Sequence, residues 1–123
     1  MPTKKKRSST YETEALDALA YEFPFSDKAE AEAKIRTRLR RKKLGPFDPQ
    51  RINLLRRLKD DLQKEISKFE KSIYFTYRHD KYCDMQDFDI PRLTRKMIER
   101  YPLIPKKEIE NFVPFCVLLY YLK

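Results

Sequence analysis

Apolar residues recur at steps of three and four over much of the chain, the period of an α-helix with one face turned inward. The clearest series runs Ile52, Leu55, Leu58, Leu62, Ile66, Phe69, Ile73 and Tyr77. Ahead of it, Asp48 offers a side-chain acceptor for an N-cap and Pro49 suits the first helical position. The pattern therefore predicts a long third helix. Carried to His79, that helix would measure about 45 Å at about 1.5 Å per residue. A compact chain of this size has a radius of gyration of about 14 Å, so the helix either breaks or pairs with another chain along its heptad-like seam. The β-formers of residues 72–77 mark where a break or a short strand fits.

Two helices are expected before it. Ser9 followed by Glu12 has the spacing of a capping box, and Tyr11, Ala15, Leu16 and Leu19 then share one face. Pro24 holds Phe23 extended, which ends this helix near Glu22, and Tyr21, Phe23 and Phe25 tuck into the core. Ser26 or Asp27 caps a second helix, with Glu30 and Glu32 early and its cations late, an order that complements the helix dipole. Ala31, Ile35 and Leu39 form a thin apolar stripe, so most of this helix faces solvent or a partner. Gly45 is its expected C-terminal cap, with Pro46 behind it.

Beyond the third helix, residues 80–90 read as an acidic connector. Leu93, Met97, Ile98 and Tyr101 mark a fourth helix opened by Pro91 and closed by Pro102. Ile109, Phe112, Val113, Cys116, Val117 and Tyr120 form the inner face of a fifth, opened by Pro105, which Pro114 is expected to kink or split. Residues 1–8 are polar and basic without periodicity, the signature of a disordered tail. The fold class expected is all-α: residues 9–123 form a single small domain of about five helices, two of them short, around one long central helix.

Composition narrows the function classes. The 123 residues suit one domain. They include a single glycine, whereas phosphate-cradling loops of the Walker or dinucleotide type need about two or three. Tight hairpins favour Asn-Gly turns, and the chain has none. Cys83 and Cys116 cannot build a disulfide framework, and no N-terminal apolar run resembles a signal peptide, so an intracellular, reducing compartment is expected. The most apolar window, residues 112–122, is interrupted by Pro114 and falls short of the roughly 20 residues that span a membrane. The run Lys4-Lys5-Lys6-Arg7 matches a nuclear import signal for a eukaryotic source, with the cytoplasm expected otherwise.

Charge sharpens the picture further. The chain carries a net +9, and residues 34–59 alone carry +10, with eleven cations against Asp48. A near-neutral body bearing one basic band is the footprint expected for a polyanion. The remaining chemistry is sparse. His79 and Cys83 stand four apart, which on a helix would face them together, but a zinc site needs about four ligands and no paired-ligand spacing accompanies them. Asp80, Asp84, Asp87 and Asp89 could in principle hold a hard cation, yet no glycine turns the loop as a calcium site requires. The last two helices could form a helix-turn-helix with Arg92, Arg95, Lys96, Arg100, Lys106 and Lys107 around the joint. The final helix is, however, apolar nearly all round, unlike a recognition helix.

The expected function is that of a non-enzymatic helical protein that binds DNA or RNA through its phosphates. The contacting residues are Lys34, Arg36, Arg38, Arg40, Arg41, Lys42, Lys43, Arg51, Arg56 and Arg57, since phosphate contacts need charge rather than base-reading geometry. The alternative is a protein–protein interaction subunit or homodimer, docking through the third helix and the apolar C-terminus. No catalytic residue, metal, cofactor, membrane or small-molecule substrate is called for.

Overall fold

The structure is a computed structural model that describes residues 10–22, 27–68, 71–76 and 87–122. Five α-helices follow in order: α1 (Tyr11–Leu19), α2 (Lys28–Arg41), α3 (Pro49–Ile66), α4 (Ile90–Arg100) and α5 (Lys106–Val117). A π-helical turn, Leu118–Leu122, continues from α5. The protein is all-α, with no strand among the described residues. The chain divides into two compact units, Met1–Ile52 and Asn53–Lys123, so that the first turn of α3 belongs to the first and the rest to the second.

In the first unit α1 packs on α2. Tyr11, Ala15, Leu16 and Leu19 are buried, as their spacing requires. The cap of α1 is Thr10 rather than Ser9: its side chain accepts from the Thr13 N–H at 3.0 Å. The helix ends at Leu19, short of Glu22, because the last N–H groups tighten onto nearer carbonyls, Tyr21 to Ala18 and Glu22 to Leu19. Phe23 and Phe25 lie outside the described residues. Asp27 caps α2, accepting from the Glu30 N–H at 2.8 Å, and Ala31, Ile35 and Leu39 are its buried stripe.

The C-terminus of α2 departs from expectation. Lys42, not Gly45, is the cap, and Lys43 takes the left-handed conformation at φ 55°. The Leu44 N–H bonds the Leu39 carbonyl at 2.9 Å and the Lys43 N–H bonds the Arg40 carbonyl at 3.2 Å, a Schellman closure. Gly45, at φ 114°, shapes the turn that follows. A side chain in the left-handed region costs about 1–2 kcal/mol, partly offset by the extra unfolded-state freedom of glycine. Lys43→Gly is therefore expected to stabilise the protein by about 0.5–1 kcal/mol, read as a higher urea midpoint at unchanged slope. A lower midpoint would contradict the strain assigned to Lys43.

Helix α3 starts where predicted, with Asp48 Oδ1 accepting from the Gln50 and Arg51 N–H groups at 3.1 and 3.4 Å. Ile52, Leu55, Leu58, Leu62 and Ile66 are buried. The helix stops there after 18 residues, far short of His79. Phe69 and Tyr77 lie outside the described residues, and Ile73, expected in the seam, is 67% exposed. The backbone beyond the stop is held by other partners: the Tyr74 N–H bonds Ser72 Oγ at 3.1 Å, and the Ser72 hydroxyl donates to Glu65. Phe75 and Phe88 then form an isolated antiparallel bridge. The strand-forming side chains of this segment thus pair with residues that a helical reading ignores.

In the second unit α4 packs on α5. Asp89 caps α4, accepting from the Arg92 N–H at 3.2 Å, and Leu93 and Met97 point inward. The Tyr101 hydroxyl, at the end of α4, donates to the Asp61 carboxylate on α3. Burial and that acceptor push the tyrosine above its ordinary value. Helix α5 neither stops nor splits at Pro114; it runs on to Val117 and widens into the π-helical turn. Ile109, Phe112, Val113, Cys116, Val117 and Leu119 are buried, while Phe115 and Tyr120 are half-buried. Phe75, Phe88 and Tyr121 meet edge to face, with centroids 5.0 to 6.1 Å apart. Burial pushes the Cys116 thiol up. No helix among the described residues is long and apolar enough to cross a membrane.

Candidate nucleic-acid interface

The basic band separates into cations held by carboxylates and cations that are not. Three of them face α1. Arg38 Nη1 lies 2.8 Å from Asp17 and 4.0 Å from Glu14, and Lys42 Nζ lies 3.4 Å from Glu14. Arg51 directs both Nε and Nη2 to one oxygen of Glu12, at 2.9 and 2.6 Å. Its guanidinium also stacks 3.8 Å from the Tyr11 ring centre. Tyr11 in turn donates to the Pro46 carbonyl at 3.2 Å and accepts from the Asp48 N–H at 2.8 Å. Glu12 and Glu14 are themselves buried, so these cations neutralise carboxylates that the fold has taken from water. Their first role is structural.

The cations without such partners lie on the outer side of α2 and in the turn just after it. Lys34, Arg36, Arg40, Arg41 and Lys43 are exposed, and none makes an ion pair with a carboxylate among the described residues. At about 100° per residue, Lys34 and Arg41 occupy one flank of the solvent face and Arg36 and Arg40 the other. The exposed Ala33 and Thr37 lie between them. The guanidinium of Arg36 rests 4.1 Å from the Phe47 ring centre, which orders the side chain without neutralising it. The buried stripe of Ala31, Ile35 and Leu39 fixes which face looks outward.

The band's other members fall in the second unit. Arg56 bonds Asn53 Oδ1 at 3.2 Å, and Arg57 is exposed. Lys59, counted in the band's charge, is only 2% exposed and pairs with Asp60 at 2.7 Å. It is a core residue. Sequence reasoning missed the α1 carboxylates Glu12, Glu14 and Asp17. The signal was present, since an acidic helix directly precedes a basic one.

The weaker constellations have ordinary roles where the structure describes them. Asp89 is a helix cap, and Asp87 accepts from the Tyr121 hydroxyl at 2.5 Å. His79, Asp80, Cys83 and Asp84 lie outside the described residues. Among those described, no group of three or more His, Cys, Asp or Glu side chains could hold a metal ion. The apolar positions offered for docking in the alternative reading, on α3 and α5, are largely buried within the chain. Comparison with known proteins finds no similarity: no family model, no curated protein and no solved structure matches the chain.

Proposed function

We propose that the protein binds nucleic acid through the solvent face of α2 and the turn that closes it, with Lys34, Arg36, Arg40, Arg41 and Lys43 on the phosphates. The observation that supports this reading is their lack of carboxylate partners among the described residues, beside neighbouring cations, Arg38 and Lys42, that are paired. Solvated cations held on a rigid helix release counterions when they meet a polyanion, a contact that requires no base-specific geometry. Ala33 and Thr37 leave the centre of the face low, so that a phosphate backbone reaches both flanking rows. Arg38, Lys42 and Arg51 contribute less, because each would first have to leave an acid of α1. The expected binding is thus sequence-tolerant and serves no reaction of the protein's own.

The test replaces Lys34, Arg36, Arg40, Arg41 and Lys43 by glutamine. Affinity for a short duplex or single strand at about 0.1 M salt is expected to fall by about 100-fold or more, with the helical circular dichroism unchanged. A companion variant, Arg38→Gln with Lys42→Gln, is expected to lower thermal stability more than affinity. Unchanged affinity in the five-site variant would move the interface away from α2.

A further inference from the structure

The second unit carries another group of cations, and its surroundings differ in kind. Arg92, Arg95 and Lys96 are exposed on α4, Arg95 opposite the buried Leu93 and Met97 and the other two along one flank. Arg95 and Lys96 make no ion pair with a carboxylate among the described residues. Arg92 is held in place: it donates to the Ile73 carbonyl at 3.1 Å, and its guanidinium lies 5.2 Å from the Tyr74 ring centre.

Two open depressions flank Arg95. One, of about 430 Å³, lies between α4 and α5, with Ile90, Pro91 and Ile98 among its lining and Arg95 and Lys106 at its edge. The other, of about 280 Å³, runs beside Ile73 and Tyr74 under Arg92, Arg95 and Lys96. Ile73 is 67% exposed there. Among the described residues, the large exposed apolar side chains, Ile73, Leu103 and Leu118, all lie outside α2.

We propose that this α4 face, with the first turn of α5, docks an acidic segment of a partner protein that also carries large apolar side chains. The charge complementarity is direct. Arg92, Arg95, Lys96 and Lys106 outnumber the two acids of the same surface, Glu99 and Glu110. A chain of carboxylates is attracted, oriented and set in register by them. The apolar component selects a peptide over a nucleic acid. A phosphate backbone has nothing with which to cover Ile73 or to fill the trough at Ile90, Pro91 and Ile98. Leucine or phenylalanine side chains do both, at about 25 cal/mol per Å² of apolar surface removed from water. Arg95 lines both depressions, so a segment that fills both meets it. This proposal stands on a different surface from the α2 interface, and neither depends on the other.

The test titrates the full chain, labelled with nitrogen-15, with three probes. They are a short peptide alternating glutamate pairs with single leucines, the same peptide with alanine for each leucine, and a short random-sequence duplex. The leucine peptide is expected to move the amide signals of residues 73–74, 90, 92–98 and 106. Its affinity is expected to fall at least about tenfold, about 1.4 kcal/mol, with alanine for leucine and again in the Arg95→Glu, Lys96→Glu variant. If that variant loses signal dispersion, Arg95→Gln with Lys96→Gln replaces it. Shifts elsewhere or none at all would overturn the proposal, as would equal binding of the alanine peptide. The duplex moving these amides at least as tightly would make the face a second nucleic-acid contact instead.

Discussion

Replacing Ile66 by alanine is expected to remove about 2–5 kcal/mol of unfolding free energy, the usual cost of a cavity in a packed core. Ile66 is the last residue of α3 and is fully buried. Only one helical turn earlier stands Leu62, equally buried, so the cavity would open within a continuous apolar stripe rather than at a frayed end. Ile73 serves as the internal control. It continues the same sequence period but is exposed, and Ile73→Ala is expected to change stability by less than about 0.5 kcal/mol. The denaturant midpoints of the two variants check this directly. Equal costs at the two positions would mean that the helix and its buried face extend past Ile66.

Deleting residues 117–123 is expected to have a larger effect, the loss of cooperative folding in the unit Asn53–Lys123. Val117 and Leu119 are buried. Tyr121 stacks on both Phe75 and Phe88 and bonds Asp87. Removing the segment leaves the Phe75–Phe88 bridge without its third ring, Asp87 without that donor, and α5 without Val117 and the π-helical turn that carries Leu119. Each loss costs about 1–3 kcal/mol, and together they rival the whole stability of a small domain, about 5–15 kcal/mol. Thermal unfolding followed by the nitrogen-15 amide signals of residues 53–116 is the readout, and in the truncated chain these signals are expected to show no sigmoidal transition. A sharp transition near the full-length temperature would show that the C-terminal turn is dispensable.

Both predictions depend on where elements stop, which is where the sequence is hardest to read. Starts are local chemistry. Asp27 caps α2, and the Asp48-Pro49 pair opens α3, because a side chain and a backbone N–H three residues away suffice. The stop of α2 looked equally local, yet Lys43 rather than Gly45 takes the left-handed position. Helix α3 ends without glycine or proline, and Ile73 keeps the period by accident. What holds residues 74–76 there is the backbone of residues 87–89, through the Thr76 N–H to Asp87 and the Asp89 N–H to Tyr74, each at 2.6 Å. No local pattern announces a pairing of that range.

The candidate site divides in the same way. The cations of α2 were legible as a charge band, and the buried Ile35 and Leu39 as the opposite face. Which cations remain uncommitted depends on the packing of α1 against α2, since Arg38, Lys42 and Arg51 meet Asp17, Glu14 and Glu12 only in three dimensions. The burial of Lys59, by contrast, is written in the period, since it stands four residues after Leu55 and three before Leu62, within the apolar stripe, whereas Arg57 faces away from it.

The most direct test of the α2 interface is the slope of log affinity for duplex against log salt, measured for the intact protein and for the variant with glutamine at positions 34, 36, 40, 41 and 43. Five phosphate contacts at about −0.9 each predict a linear fall with a slope about 4–5 steeper for the intact protein than for the variant. Equal slopes would show that these five cations touch no phosphate and would contradict the assignment.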